Sequence, residues 1–312
     1  MIFFAIIDKI LSEVFILDII NTELNQFNTT LKTELFTQNN QLSEKIINFV
    51  FSKSKLLRPK LIFLLSKALN IQTNQNIINL ACATELIHCA TLIHDDIIDN
   101  SQLRRGKKTI NYEFGNNLSV LSGDLLLSYA IQFLSKCDNI NCFKLFSNSI
   151  KLMCEGEINQ FFENNKIPSI QAYIKKSENK TAELFKASLL SLNEIANINE
   201  KQNINNFATN FGIAFQIKDD LLNITQNDNL KPSFSDIENG IYTAPIIYLQ
   251  EIIPNLENIN AEEIKKLIIT NPQIIDKTKQ LIETYKQNAT DSISFIENNK
   301  YKQEILNLIN SL

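Results

Sequence analysis

The stretch LIHDDIIDNSQLRRG (Leu92–Gly106) sets Asp95, Asp96 and Asp99 into an otherwise apolar helical pattern and follows them with Arg104 and Arg105. At this spacing Asp95 and Asp99 share one helix face and Asp96 flanks it. Three carboxylates among Leu and Ile are costly unless a cation neutralises them. Hard divalent ions with oxygen ligands do so, and Mg²⁺ typically reaches a protein through a few carboxylates plus substrate phosphates. Working back from the aspartates, the apolar pattern runs unbroken from about Asn76 to Ile98. It is too long for a strand and predicts one long helix.

A second stretch, FQIKDDLLN (Phe215–Asn223), repeats the arrangement with Asp219, Asp220 and a neutral Asn223 in the last place. A solvated acidic helix end would explain one such cluster; two in apolar helices, far apart in sequence, argue for walls of one metal-lined cavity. Positive residues accompany them: Lys55 and Arg58 in KSKLLRP, His88 about two turns before Asp95, and the Arg104–Arg105 pair. An anion held through Mg²⁺ and a second held directly by Lys, Arg and His would make two separate diphosphate sites, with the metals neutralising a leaving group. Each of these residues alone reads as a surface charge or a satisfied helix histidine; their combination carries the argument.

The remaining sequence reads as helices at about 6–27, 41–52, 59–69, 117–134, 143–164, 170–195, 201–224 and 243–249. Helical pattern then continues from Ala261 to Leu312 with a break near Pro272. Nothing alternates with period two for long, and glycine and proline number only six each in 312 residues, so the class is all-α in a single domain, 1–312. A net charge of −4 gives no reason to expect a nucleic-acid partner. MIFFAII at the start is interrupted by Asp8, Lys9, Glu13 and Asp18, which reads as an amphipathic first helix rather than a signal peptide or membrane span. Five cysteines without framework spacing argue for a reducing, cytoplasmic setting. Cys82, His88 and Cys89 lie close together but lack an evident fourth metal ligand, so they read as buried structural groups.

These residues resemble the trans-isoprenyl diphosphate synthases, or polyprenyl synthetases, from about Lys53 to Leu249. IHDDIIDNSQLRRG and FQIKDDLLN are similar to the two aspartate-rich motifs of that family, KLLRP to its K-x-x-R-P segment, EGEINQ to G-E-x-x-Q and KTAELF to its Lys-Thr segment. All six glycines fall between Gly106 and Gly240, in or near these matches. The resemblance implies the isoprenoid synthase fold, a bundle of about ten or more helices around a deep central cavity. It implies Mg²⁺, about three per active site, with Mn²⁺ as an alternative. Asp95, Asp96, Asp99 and Asp219 become Mg²⁺ ligands, and Asp220 supports the second metal site. Gln160 and Gln216 line the upper cavity, while Arg104, Lys180 and Lys231 contact the allylic diphosphate. Lys55, Arg58, His88 and Arg105 bind the diphosphate of isopentenyl diphosphate, and Thr181 steadies the developing carbocation. The implied chemistry is ionisation, attack by the isopentenyl double bond and proton loss to the departing diphosphate. A homodimer is implied, with peripheral membrane contact at most.

Three positions depart from the family pattern in one region: Asn223 for aspartate, Ile241 after Gly240 in place of lysine, and Leu230 before Lys231 in place of glycine. Thr91 and Ala90 lie one turn before Asp95, roughly 6 Å along the axis. Short-chain members often carry an aromatic floor there; two small residues argue for a longer product of roughly C30 to C50, about C40 (octaprenyl), as for a quinone side chain. Leu125, Tyr129 or Phe133 could supply a floor from another helix. The alternatives are a farnesyl or geranylgeranyl synthase, a non-catalytic subunit of a heteromeric synthase, and a terpene cyclase. The set Lys55, Arg58, His88 and Arg105 argues against the cyclase, which has no use for a second diphosphate.

Overall fold

The computed structural model describes residues 19–35, 40–51, 55–163, 166–225, 237, 240–254, 256 and 259–312. In chain order the elements are α1 (Asn21–Glu34), α2 (Asn40–Phe51), α3 (Leu57–Ala68), α4 (Gln75–Ile98), β1 (Leu103–Arg104), β2 (Lys107–Lys108), α5 (Ile110–Phe114), α6 (Asn116–Ser135), α7 (Ile140–Glu163) and α8 (Ile170–Ser177). A π-helical turn (Glu178–Ala182) leads into α9 (Glu183–Ile195), α10 (Lys201–Thr225), α11 (Ala244–Gln250), α12 (Ala261–Thr270), α13 (Pro272–Ser292) and α14 (Lys300–Asn310). The all-α class holds, with one two-stranded ribbon among the described residues. The chain divides into two compact units, one drawn from Met1–Leu145, Ser188–Lys201 and Ser294–Ser311, the other from Phe146–Ala187 and Gln202–Ile293.

In the first unit α4 is the core helix. Ile77 to Ile87 are buried without interruption, as befits a helix that is apolar all round. Asn74 caps its start by accepting from the Ile77 N–H. Leu61 to Leu65 of α3 are fully buried as well, and Phe27 of α1 meets Phe63 edge-on with centroids 6.4 Å apart. Asn299 caps α14 by accepting from the Tyr301 and Lys302 N–H groups, and its own amide donates to the Ala68 carbonyl at 2.9 Å, tying α14 to the end of α3.

Helix α6 runs antiparallel to α4. At one end a Cβ on Gly123 would lie 2.1 Å from His94 Nε2, so the absent side chain is what admits the imidazole. At the other end Asn79 donates to the Lys136 carbonyl at 3.2 Å. These two crossings put Ala90 level with Leu126, and Ala83 level with Phe133, roughly 18 Å along α4 from Asp95.

In the second unit α10 packs its apolar stripe, Ile213, Ile217, Leu221 and Ile224, with Tyr173 of α8 and Ile246 to Leu249 of α11. Phe185 of α9 and Phe211 of α10 stack edge-on at 5.3 Å. The π turn between α8 and α9 lies against α10 at Gly212, where a Cβ would come within 2.5 Å of Ala182 Cα.

The structure departs from the sequence reading in four places. The first expected helix, 6–27, begins outside the described residues, and α1 continues to Glu34 because Leu24, Phe27 and Leu31 form one buried stripe. The expected helix at 170–195 contains the π turn. Pro272 starts α13, where its missing N–H is not needed, and a second interruption at 293–299 separates α13 from α14. The ribbon and α5 went unseen, since two-residue strands are too short to show a period.

Candidate active site

The first acidic motif ends α4 in a defined way. Asn100 is left-handed (φ 50°), its N–H donates to the Ile97 carbonyl at 3.2 Å, and the Ser101 N–H donates to the Asp96 carbonyl at 2.9 Å, a Schellman ending. The Asn111 amide also donates to the Asp96 and Ser101 carbonyls, both at 3.1 Å. With the backbone pinned, Asp95 is half-buried, Asp99 exposed and Asp96 only 2% exposed. The buried Asp96 carboxylate accepts from Arg104 Nε at 2.7 Å, the compensation a buried charge requires.

Arg104 is placed by the ribbon. Leu103 pairs with Lys108 and Arg104 with Lys107, leaving Arg105 (φ 53°) and Gly106 (φ 77°) as a two-residue turn with both φ positive, as a type I′ hairpin demands. A cavity of about 140 Å³ is lined here by Lys45, Phe49, Arg104, Arg105, Lys107 and Lys108 among others. Lys45 also bonds Glu113 at 2.6 Å.

Of the expected isopentenyl set, Arg58 and Arg105 lie close enough to His88 to act on it electrostatically, while Lys55 is exposed at the entry to α3. Leu56 takes a left-handed conformation (φ 47°), unusual for a bulky residue, at the entry from exposed Lys55 into α3. Burial lowers the Arg58 guanidinium to about 10, opposed by the charge of buried Glu85, so it stays cationic at neutral pH. His88 keeps some solvent-facing surface yet lies deep among protein atoms. Burial first, then the charges of Arg58, Arg105 and Arg104, hold its ring well below the usual histidine range. The ring is therefore neutral, and Thr91 Oγ1 donates to the His88 carbonyl at 2.8 Å.

The neutral ring carries a pH signature. In the unfolded chain it titrates near 6.5, so below that pH the unfolded state binds a proton the folded state refuses. Stability is expected to fall as pH drops below about 6.5, by up to about 1.4 kcal/mol per pH unit until the depressed folded pKa is reached. His88→Gln should flatten the Tm profile between pH 7 and 5.5; an unchanged slope would contradict a neutral His88.

In the second unit, Asp220 is 6% exposed and both its oxygens are engaged. Tyr173 OH donates to Oδ2 at 2.6 Å and Gln216 Nε2 to Oδ1 at 2.8 Å. Thr181 in turn donates its hydroxyl to Gln216 Oε1. Burial, reinforced by the Asp220 charge, pushes the Tyr173 phenol well above its usual range, so its proton stays available to the carboxylate. Lys180 forms an ion pair with Glu157 at 2.6 Å, Asp219 is exposed and Asn223 half-buried. Gln160 and Ile241 line a cavity of about 470 Å³ together with Tyr173. Gly240 is left-handed (φ 70°). Lys231 and Leu230 lie outside the described residues.

The first unit thus gathers Asp95, Asp96, Asp99, Lys55, Arg58, His88, Arg104, Arg105, Ala90 and Thr91, and the second Gln160, Lys180, Thr181, Gln216, Asp219 and Asp220. The sequence reading missed the partners: Tyr173 for Asp220, Glu157 for Lys180, Asn111 for the end of α4, and Glu85 for Arg58. Only Glu157 had a signal, its place inside EGEINQ.

Among the described residues no group of three or more His, Cys, Asp or Glu side chains converges on a point where a metal could be held. That suits Mg²⁺, which demands few protein ligands when substrate phosphates and water complete its shell. Asp95, Asp99 and Asp219 present carboxylates at or near the surface, the hard donors such an ion takes. Asp96 and Asp220 accept from protein donors here, so ligation by either needs those bonds exchanged.

Carboxylates thus end a core helix beside Arg104, with Arg105 and Arg58 in reach of His88. The chain belongs to the polyprenyl synthetase family, whose pattern matches residues 39–285, and it is a prenyltransferase. A prenyl transferase of Cyanidium caldarium is 36% identical over 238 residues, 73% of each chain. A geranylgeranyl diphosphate synthase of Sulfolobus acidocaldarius is 33% identical over 298 residues, covering 88% of this chain and 90% of the relative. The crystal structure of a heptaprenyl diphosphate synthase from Staphylococcus aureus superposes with a TM-score of 0.87 at 27% identity, covering 94% of this chain and 97% of that one.

Proposed function

We propose that this chain condenses isopentenyl diphosphate head-to-tail with an allylic diphosphate such as farnesyl diphosphate, and repeats the step to give a long all-trans polyprenyl diphosphate of about C40. The observation that carries the reading is the end of α4, where Arg104 bonds Asp96 of the acidic motif while Arg58 and Arg105 lie close enough to act on the neutral His88 ring in the same unit. One anion needs metal-bridging carboxylates and the other bare cations; two diphosphates fit condensation, whereas cyclisation of one substrate leaves the second set idle.

Asp95 and Asp99 on the first unit, and Asp219 on the second, are the carboxylates that would take divalent ions, and such an ion when bound draws electron density from a diphosphate and eases its departure. Arg104 and Lys180, each held now by an acid, exchange Asp96 and Glu157 for the incoming phosphates. Arg58, Arg105 and neutral His88 receive the isopentenyl diphosphate, to which the ring can donate one N–H. Thr181, fixed by Gln216, directs its hydroxyl oxygen toward the developing allylic cation. No side chain need act as the base, since the released diphosphate can accept the proton. Val120, Leu121 and Ile131 of α6 are large apolar side chains left exposed, which supports a homodimer that would cover them.

Chain length rests on the α4–α6 register. Ala90 is small and buried, Ala130 follows on α6, and buried Phe133 stands level with Ala83, far below the aspartates. Wild-type protein supplied with farnesyl diphosphate and labelled isopentenyl diphosphate is expected to give products well beyond geranylgeranyl, and Ala90→Phe to stop at shorter ones. Wild-type product ending at geranylgeranyl would keep the reaction and sink the length.

A further inference from the structure

A π turn is a rare interruption of a helix, and something must favour it over the α form. Here the wide bond is explicit: the Glu183 N–H donates to the Glu178 carbonyl, five residues back. The same two residues carry carboxylates, and both reach one ammonium. Lys186 Nζ bonds Glu183 Oε1 at 2.5 Å and Glu178 Oε1 at 3.1 Å, with Glu183 buried and the other two half-buried. Lys175 of α8 takes the other oxygen of Glu178 at 2.9 Å. In an unbroken α-helix residues five apart point about 140° apart around the axis, so one ammonium between them favours the wide turn. Without it, two carboxylates drawn this close would repel and work against the turn. Burial opposes the charge on Lys186, but Glu183 and then Glu178 outweigh it and keep the ammonium above the ordinary lysine range.

We propose that Lys186 is a positioning residue for prenyl transfer, a clamp that ties the two ends of the π turn and so sets Lys180 and Thr181 in register. Gly212 makes room for the turn; Lys186 holds its shape. The residues inside the turn are the ones that engage the rest of the site, Lys180 through Glu157 and Thr181 through Gln216. Lys186 itself touches neither of them through a carboxylate or an amide of the site; it acts through Glu178 and Glu183. The proposal rests on the reading of the chain as a prenyl synthase for its role, but not for the clamp.

The test compares Lys186→Met with Lys277→Met, which removes an ion pair of the same unit outside the turn, Lys277 to Glu251 at 2.5 Å. Rates with farnesyl and isopentenyl diphosphate are measured alongside amide hydrogen exchange of the full chain. Lys186→Met should lower kcat by about tenfold, leave KM for isopentenyl diphosphate within about twofold, and speed exchange across 179–183 severalfold. Lys277→Met should leave kcat and that exchange as in wild type; an ion pair that only stabilises the fold would lower Tm and spare both. Glu178→Gln leaves Lys186 its bond to Glu183, so it should show the same changes at smaller amplitude even where Lys186→Met fails to fold. A Lys186→Met kcat within about twofold of wild type, unchanged exchange in the turn, or an equal loss of kcat in Lys277→Met would overturn the proposal. If the wild-type protein transfers no prenyl group, faster exchange in Lys186→Met would still uphold the clamp and fault the reaction instead.

Discussion

Asp95→Asn is expected to lower kcat for isopentenyl transfer by about 10²–10³-fold, the usual loss when one charged stabiliser of a developing leaving group is removed. The change keeps the volume and removes only the charge. Asp95 is half-buried at the last turn of α4, and the turn is closed by the backbone N–H groups of Asn100 and Ser101 and by the side-chain amide of Asn111. Tm should therefore move little, and the concentration of Mg²⁺ giving half-maximal rate should rise. Asp96→Asn makes an instructive contrast, because it also strips Arg104 of its buried partner and should lower Tm along with the rate. A rate for Asp95→Asn within a few fold of wild type would deny Asp95 its place at the metal.

The second large effect is expected from a methyl group. In Gly212→Ala the new Cβ would stand 2.5 Å from Ala182 Cα and 2.7 Å from Ala182 Cβ, and backbone cannot swing aside as a side-chain tip can. Overpacking of this kind costs about 1–3 kcal/mol. The displaced element is the π turn that carries Lys180 and Thr181, so kcat should fall with stability as the Thr181–Gln216–Asp220 relay loses register. Gly156→Ala is the internal control: its Cβ would meet Asn179 Cβ at 3.5 Å, an ordinary contact, and mid-helix alanine is favoured over glycine. Thermal melts and steady-state rates for the two variants should diverge; equal behaviour would mean that the close approach of the π turn to α10 does not matter.

Those contrasts mark how far sequence alone could reach. The aspartates and the cations were legible because helical spacing fixes which residues share a face and because clustered like charges in apolar helices demand an explanation, whereas Lys180 and Thr181 were reached only through the resemblance of KTAELF to the family's Lys-Thr segment. The long core helix was legible because α4 is apolar on every side. The π turn was not, since five-residue hydrogen bonding leaves no period to read and its cause, Gly212, lies thirty-odd residues downstream on another helix. Nor was the fate of Asp96 and Asp220: pattern shows that a carboxylate is buried but not that Arg104 or Tyr173 comes to meet it. The left-handed Leu56 has no sequence cue at all, since leucine is among the residues least expected there.

The most direct test of the account is transfer by this chain alone. Purified protein is given farnesyl diphosphate and labelled isopentenyl diphosphate, with Mg²⁺ or with chelator, and butanol-extractable label is counted. The account predicts incorporation that requires Mg²⁺ and builds a ladder of longer prenyl diphosphates. No incorporation at any Mg²⁺ concentration, from protein that melts cooperatively, would contradict it and point to a subunit that needs a partner, with Asn223 and Ile241 the first residues to restore.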